Sequence, residues 1–478
     1  MPEKNNVLVW FRKDLRLSDN AALKAAIETG NNVVPIYIWS ADEEKEAAMG
    51  AASRWWLHQS LTSLTQDLEQ LGSQLIIRQG KALSVLCELL AETQANAVFW
   101  NRRYEPSIIE RDKEIKTYLQ TNGIEAKSFN SQLLFEPWTV LNSSEKPFQV
   151  FTPFWKSCLS RSITIPISSP KQLESPTKWP DSLKLKDLEL EPKINWDIGL
   201  KNTWKVGEKA AANQLNNALT NVIAGYKENR DRPDLEGVSK LSPYLHFGEI
   251  SPRQIWHAVK SKIVENSSYK ESGEAYLRQL GWREFAYHLL FWFPQTVNKP
   301  LKEKFARFPW QTNQENLKAW QQGKTGYPIV DAGMRELWTT GWMHNRVRMI
   351  VASFLVKDLL IDWREGERWF WDTLVDADLA NNVLGWQWTA GCGADAAPYF
   401  RIFNPVSQAE KFDPQGNYIK HWVPELKNLS VPWIYKPWEA PANILEQANI
   451  KLGQNYPIRI VDHQSARLEA LAALESIK

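Results

Sequence analysis

The chain has 478 residues and carries 57 Lys and Arg against 55 Asp and Glu, a formal net charge of +2. That length suits two or three domains with a sizeable core, and the near-neutral balance excludes a global basic field, so any nucleic-acid contact must come from a local patch. Three cysteines (Cys87, Cys158 and Cys392), none in a C-x-x-C pair, argue for a reducing compartment and exclude a four-cysteine zinc or iron–sulfur site.

In chain order, short β-rich apolar runs fall at 7–11, 33–39, 74–78, 97–100 and 125–129, with helical patterns near 19–29, 51–71, 81–93 and 107–121 between them. Strand and helix alternating at this pitch predict an α/β N-terminal domain, residues 1–130, built on a Rossmann-like parallel sheet with helices on both faces. Neither G-x-G-x-x-G nor G-x-x-x-x-G-K-[ST] occurs, so the usual dinucleotide and P-loop signatures are absent. From 131 to 200, prolines from Pro137 to Pro192 break the pattern. This stretch reads as a connector held to the surface by Trp138, Phe151, Phe154 and Trp155. From 201 to 478 strand patterns vanish. Helical patterns at 207–224, 251–264, 271–293, 329–340, 343–359, 365–375 and 464–476 predict a large all-α C-terminal domain. No apolar run at the N-terminus has signal-peptide length and no segment reaches transmembrane length, so a soluble, cytoplasmic protein is expected. The seven histidines show no H-E-x-x-H spacing, and no metal site is expected.

Four stretches of the helical half concentrate chemistry. In 226–248 the hydroxyls and backbone of Ser239, Lys240, Leu241 and Ser242 can cradle a phosphate, although a serine-bearing turn also serves as a helix N-cap. In 276–288, Gln279 and Trp282 share one helical face. The alternative for this stretch is a core tryptophan with a surface ion pair at Arg283 and Glu284. In 341–349, Asn345, Arg348 and Met349 share a face and Arg346 turns away, which suits a ligand wall better than a core. The densest stretch is 376–412. It holds Asp376 and Asp378, Asn381 and Asn382, Trp386 and Trp388, and a glycine-rich turn. Such groups need partners when buried. A planar ligand rich in donors and acceptors would supply them, and a polar-lined helix junction is the alternative.

WFRKDLRLSDN at 10–20, KLSPYLHFGEIS at 240–251, GWREF at 281–285, GKTGYPIVDAGMREL at 323–337, GWMHNRVRM at 341–349, DWREGERWF at 362–370 and the 376–412 stretch together resemble the DNA photolyase/cryptochrome family. The resemblance implies a monomeric flavoprotein holding flavin adenine dinucleotide (FAD) in its helical domain and repairing ultraviolet-damaged DNA in blue light. It places Tyr226, Val238, Ser239, Lys240, Leu241, Ser242 and Tyr276 at the flavin's phosphate side. Arg348, Asp376, Ala377, Asp378 and Asn382 fall at its ring, with Asn382 facing the redox-active nitrogen. An amide there favours the reduced flavin. Photolyases of this branch carry Asn at that position and plant cryptochromes carry Asp. Trp310, Trp363 and Trp386 match the family's electron-transfer chain, leaving the other 22 of 25 tryptophans outside it.

The lesion side follows from the same resemblance. Trp282 and Trp388 would flank the flipped pyrimidine pair, Met349 would pack against it, Asn345 would hydrogen-bond a base, and Arg346 would touch phosphate or ribose. Stacking is worth ~1–3 kcal/mol per base, which helps offset the few kcal/mol of extrusion. Asn345 and Met349 favour the cyclobutane pyrimidine dimer over the (6–4) lesion. ADLANN, LGWQW and AGCGADAAPYF lean towards the bacterial class III group, relatives of the plant cryptochromes. Gln279 departs from the glutamate usual in dimer photolyases, so reduced repair efficiency is expected, with blue-light photosensing or (6–4) repair as the alternative functions. The family pairs FAD with a second antenna chromophore. Class III likeness implies methenyltetrahydrofolate, with deazaflavin as the alternative, although Ser107-Ile108 replaces the Asn-Glu pair that holds folate in class I enzymes.

Overall fold

A computed structural model describes residues 5–395 and 400–478, so residues 1–4 and residues 396–399 of the AGCGADAAPYF motif lie outside the described residues. The chain divides into two compact units. The first comprises Met1–Ala224, Ser239–Pro294 and Val375–Ala380; the second comprises Gly225–Val238, Gln295–Leu374 and Asn381–Lys478.

The first unit opens with β1 (Asn6–Phe11), α1 (Ala21–Glu28), β2 (Asn32–Trp39), α2 (Ala51–Gln70), β3 (Ile76–Gln79), α3 (Ala82–Thr93), β4 (Ala95–Asn101), α4 (Pro106–Thr121) and β5 (Glu125–Phe129). The expected parallel sheet is present, in the order β3-β2-β1-β4-β5. Val7 to Phe11 are all buried because helices cover both faces, which explains a continuous apolar run instead of alternation. On one face Leu8, Trp10, Ile36, Val98 and Trp100 pack with Leu86 and Leu89 of α3 and Ile115 and Leu119 of α4. Each such side chain contributes ~1.5–3 kcal/mol when fully buried.

The 10–20 motif is largely architectural. Asn20 caps α1 by accepting from the Leu23 N–H at 3.1 Å, and Asn101 Nδ2 donates to Asp14 at 2.6 Å and to Asn20 at 2.7 Å. Buried Arg16 donates to the carbonyls of Gly248 and Ser131, both at 2.7 Å. Gly248 has φ +68°, and a Cβ there would stand 2.2 Å from the Lys13 carbonyl oxygen, so only glycine fits this turn.

The connector contains a helix the prolines concealed, α5 (Phe151–Leu159), which packs on α6 (Lys270–Trp292). Phe151 stacks on Trp282 with centroids 3.8 Å apart, and Gly281 admits the Trp155 ring, which a Cβ would meet at 2.6 Å. Of the expected anchors, Phe151, Phe154 and Trp155 are buried, whereas Trp138 is 41% exposed. The surface ion pair expected at Arg283 and Glu284 is corrected: both are buried. Glu284 Oε2 accepts from the Leu134 and Phe135 N–H groups at 2.9 and 3.1 Å, and Oε1 lies 3.6 Å from Arg283 Nη1.

The second unit is helical. Its main elements are α7 (Pro328–Thr340), α8 (Asn345–Ser353), α9 (Trp363–Thr373) and most of α10 (Leu379–Ala390), with a last helix at His463–Glu475. The expected helix at 343–359 ends early, in a π turn at Phe354–Asp358. There fully buried Lys357 donates to the Ala390 carbonyl at 2.9 Å, and Asp358 pairs with His463. The 207–224 helix likewise passes into a π turn at Ala218–Val222. Among the described residues, no helix is long and apolar enough to cross a membrane.

Candidate functional site

In the first unit, Lys240 adopts a left-handed φ of +51°, turning the backbone just before the short helix Ser242–Phe247. Successive N–H groups around such a residue can converge on an anion. The Tyr276 hydroxyl lies 3.0 Å from Ser239 Oγ, and Gln214 Nε2 donates to the Ser239 carbonyl at 2.7 Å, so the turn is braced on two sides. Leu241 is buried and Ser242 exposed; Val238, the last residue of a second-unit segment, is half-buried. On α6, half-buried Gln279 donates to the Ala275 carbonyl at 3.2 Å, and Trp282, also half-buried, has Phe151 stacked on it.

Asp376, Ala377 and Asp378 are buried in the same unit. Burial alone would raise the Asp378 carboxyl, but His246, 3.8 Å away, the Arg283 charge and the Tyr287 phenol hold it well below the carboxylate range. Burial pushes His246 down to about 4, so the imidazole is neutral and the carboxylate charged near pH 7. Tyr287 donates to Asp378 and accepts from Gln132 Nε2 at 2.9 Å, and Arg283 donates to the Gln132 carbonyl at 2.8 Å. Sequence reasoning missed Gln132, His246 and Tyr287 as supports of Asp378. Their separation along the chain hides the network, and only the motif context of His246 hinted at it.

In the second unit, Tyr226 is buried at the start of the single turn Tyr226–Asn229. On α8, Asn345 Nδ2 lies 3.9 Å from Met349 Sδ, one turn on, as their shared face requires. Arg348 Nε donates to the Met343 carbonyl at 2.8 Å. Arg346 does turn away, and pairs with Asp231 at 2.9 Å.

Asn382 Nδ2 donates to the Glu367 side chain at 2.9 Å and to the Glu367 carbonyl at 3.2 Å. A backbone carbonyl only accepts, so the amide nitrogen must face Glu367, and Oδ1 is left as the acceptor for whatever lies on the other side. Burial pushes Glu367 up to about 7. Glu367 was not singled out in the sequence; it stands in the DWREGERWF motif, but nothing local links it to Asn382.

Trp386 is 2% exposed and meets Phe370 and Trp320 edge-on at 5.0 and 6.2 Å. Trp363 is buried with the Arg364 guanidinium 5.1 Å from its ring, and half-buried Trp310 lies 4.3 Å from Phe308. Among the described residues no direct ring contact joins these three tryptophans. Trp388 is half-buried on α10.

The first unit also contains a crevice at the C-terminal ends of β1 and β2, lined by Trp10, Arg12, Tyr37, Trp39, Arg103 and Arg111 among others. It lies beside the point where the sheet order reverses, the usual ligand position in such sheets. Arg12 and Arg111 stand over the Trp10 ring at 4.7 and 5.2 Å, and Arg103 pairs with Glu44 at 2.8 Å and Glu105 at 2.9 Å. Ser107 and Ile108 are buried at the start of α4, with the Ser107 N–H bound to Glu46 at 2.8 Å. The residues of this crevice were not assigned from sequence.

A parallel sheet without a dinucleotide fingerprint, together with a mostly helical remainder that carries buried Asp and Trp groups and a half-buried Asn, defines a flavin-binding class of protein. Residues 276–476 match the FAD binding domain of DNA photolyase, and residues 7–176 match DNA photolyase. The chain is 48% identical to a deoxyribodipyrimidine photo-lyase of Agrobacterium fabrum over 99% of its own length and 98% of the relative's. It is 41% identical to cryptochrome-2 of Arabidopsis thaliana over 98% of its own length and 78% of the relative's. The crystal structure of a bacterial class III photolyase from Agrobacterium tumefaciens superposes with a TM-score of 0.97 at 47% identity, covering 100% of this chain and 98% of that one. The chain belongs to the DNA photolyase/cryptochrome family.

Proposed function

We propose that the protein is a blue-light-dependent deoxyribodipyrimidine photo-lyase that splits cyclobutane pyrimidine dimers. The observation that carries this reading is Asn382, whose amide nitrogen is tied to the Glu367 carbonyl so that Oδ1 remains an acceptor. That orientation suits the N–H of a reduced flavin. The rest of the donor set fits FAD: hydroxyls and a left-handed turn at Ser239–Ser242 for phosphates, with Tyr226, Val238 and Tyr276 beside them in the assignment. Arg348, Asp376, Ala377 and Asp378 are assigned to the ring. FAD, when bound, supplies a light-excited electron donor.

The chain's own residues hold the lesion. Photolyases extrude the damaged bases from the duplex. Trp282, backed by Phe151 on one face, offers the other for stacking, and Trp388 is the second aromatic. Gln279 and Asn345 supply hydrogen bonds, Met349 packs against the bases, and Arg346 meets the backbone. Trp386, Trp363 and Trp310, from buried to half-exposed, serve as the relay that recharges the cofactor.

By this reading residues 1–130 form the antenna domain, 131–200 the connector and 201–478 the FAD-binding domain of a cytoplasmic monomer. Three free cysteines support a reducing compartment. The second chromophore, methenyltetrahydrofolate with deazaflavin as the alternative, is assigned to the crevice of Trp10, Tyr37 and Trp39, where arginines suit an anionic aromatic ligand.

Gln279 favours a second reading, a cryptochrome-type photosensor. The test is repair of a thymine dimer under blue light with reductant, read as recovery of thymine absorbance. Light-dependent recovery supports the lyase; its absence despite a photoreducible flavin refutes it.

A further inference from the structure

Arg346, assigned above to the DNA backbone, is already engaged. Its Nη2 lies 2.9 Å from Asp231 Oδ1 and its guanidinium 4.3 Å from the Phe412 ring centroid, while its Nε is buried with no hydrogen-bond partner among the described residues. Arg230 Nε stands 3.9 Å from the same Asp231 oxygen, and its guanidinium 5.7 Å from the Tyr226 ring. The Lys411 ammonium lies 5.2 Å from Phe412. Arg346 and Lys411 therefore rest on Phe412 and Arg230 on buried Tyr226, with Asp231 between the two arginines, all within the second unit. Cations interleaved with aromatics are the composition of a strand-binding surface. The carboxylate is the anomaly, because it weakens attraction for every phosphate that approaches.

We propose that Asp231 is a specificity-determining residue that makes this patch discriminate damaged from intact DNA. The proposal rests on the reading of Arg346 as a phosphate contact. Specificity is a difference of affinities, gained as well by penalising the wrong partner as by favouring the right one. Phosphates of intact duplex reach the patch from many positions, and each meets the repulsion of Asp231. A DNA anchored by its extruded lesion places one phosphate at one point. There the exposed part of the Arg346 side chain, 17% of its surface, is already oriented, because Asp231 and Phe412 hold the guanidinium, and pre-orientation lowers the entropy lost on binding. Asp231 thus opposes intact DNA more than lesion DNA.

The test compares the flavin-loaded full chain with Asp231→Asn, Asp231→Glu and Arg346→Gln variants, binding duplexes with and without one thymine dimer across a salt series. Asp231→Asn is expected to bind intact duplex about two- to fivefold tighter, the range spanned by exposed ion pairs. Its log K against log salt slope should steepen by about 0.9, one further phosphate neutralised. Lesion affinity should not rise, so the lesion-to-intact ratio falls. Asp231→Glu, which keeps the charge, should retain the discrimination that Asp231→Asn loses. An unchanged ratio in Asp231→Asn, or the same loss in Asp231→Glu, overturns the proposal; Asp231→Ser replaces Asp231→Asn if that variant fails to retain flavin. Arg346→Gln should weaken lesion binding and flatten the slope by about 0.9. If Arg346→Gln changes neither DNA, the phosphate reading itself fails and the proposal with it. If Arg346→Gln loses affinity while the Asp231→Asn ratio stays at wild type, only the role of Asp231 falls.

Discussion

Replacing Gly366 by alanine should both destabilise the protein and disturb its assigned relay. Gly366 lies on α9, and a Cβ there would stand 2.0 Å from Trp386 Cη2, 2.5 Å from Cζ3 and 2.6 Å from Cζ2. Carbon atoms pack at roughly 3.5–4 Å, so the indole must retreat by ~1.5 Å or the two helices must part. The ring has little room, being 2% exposed with Phe370 at 5.0 Å and Trp320 at 6.2 Å. Overpacking of this kind costs ~1–3 kcal/mol, and the severity of the approach puts this case at the upper end. Alanine recovers ~1 kcal/mol over glycine within a helix. The net expectation is a loss of about 2 kcal/mol, read as a lower urea midpoint with an unchanged slope. Blue-light reduction of the bound flavin by an external thiol, followed by absorbance, should slow in the same variant. Wild-type stability would refute the packing argument. Lost stability with an unaltered photoreduction rate would remove Trp386 from the relay.

Three further outcomes are expected. Gln279→Glu should raise dimer repair by about fivefold, since a charge-assisted hydrogen bond is stronger than a neutral one by roughly 1 kcal/mol; an unchanged repair rate would place Gln279 away from the lesion. Burial raises Glu249 to about 8, so the folded state binds a proton that the unfolded state releases near its ordinary carboxyl value. The resulting stabilisation is complete below about 4.5 and disappears as pH rises through 8. Burial raises Glu284 to about 7 and Asp413 to about 6, which act in the same direction. The denaturant midpoint should therefore be higher at pH 5.5 than at pH 8.5, and Glu249→Gln should flatten the difference; an unchanged pH slope in the variant would exclude Glu249 as a source. Glu367→Gln removes a group that titrates near 7 beside Asn382. The pH dependence of flavin photoreduction between 6 and 8 should flatten, and a wild-type profile would uncouple Glu367 from the cofactor.

Sequence by itself determined the elements and the family. Period-two and period-3.6 apolar patterns are local, so the five strands and the long helices were legible within a few residues, and the missing glycine fingerprint excluded an ordinary dinucleotide site. Long motifs from WFRKDLRLSDN to DWREGERWF identified the family. Local pattern failed where a residue's environment is set by distant chain. Arg283 and Glu284 look like a surface pair until the connector wraps over them and its N–H groups meet the carboxylate. The helix at Phe151–Leu159 was hidden by the prolines around it and is stabilised by packing on α6. The helix expected through 343–359 widens at Phe354–Asp358, where a buried lysine reaches the end of α10. Tertiary structure alone decided that the Asn382 nitrogen faces Glu367, that Asp378 is held charged by Tyr287, His246 and Arg283, and that Arg346 is shared with Asp231. Each depends on groups brought within about 3–4 Å across long stretches of chain, and the directionality of hydrogen bonds then leaves a single arrangement.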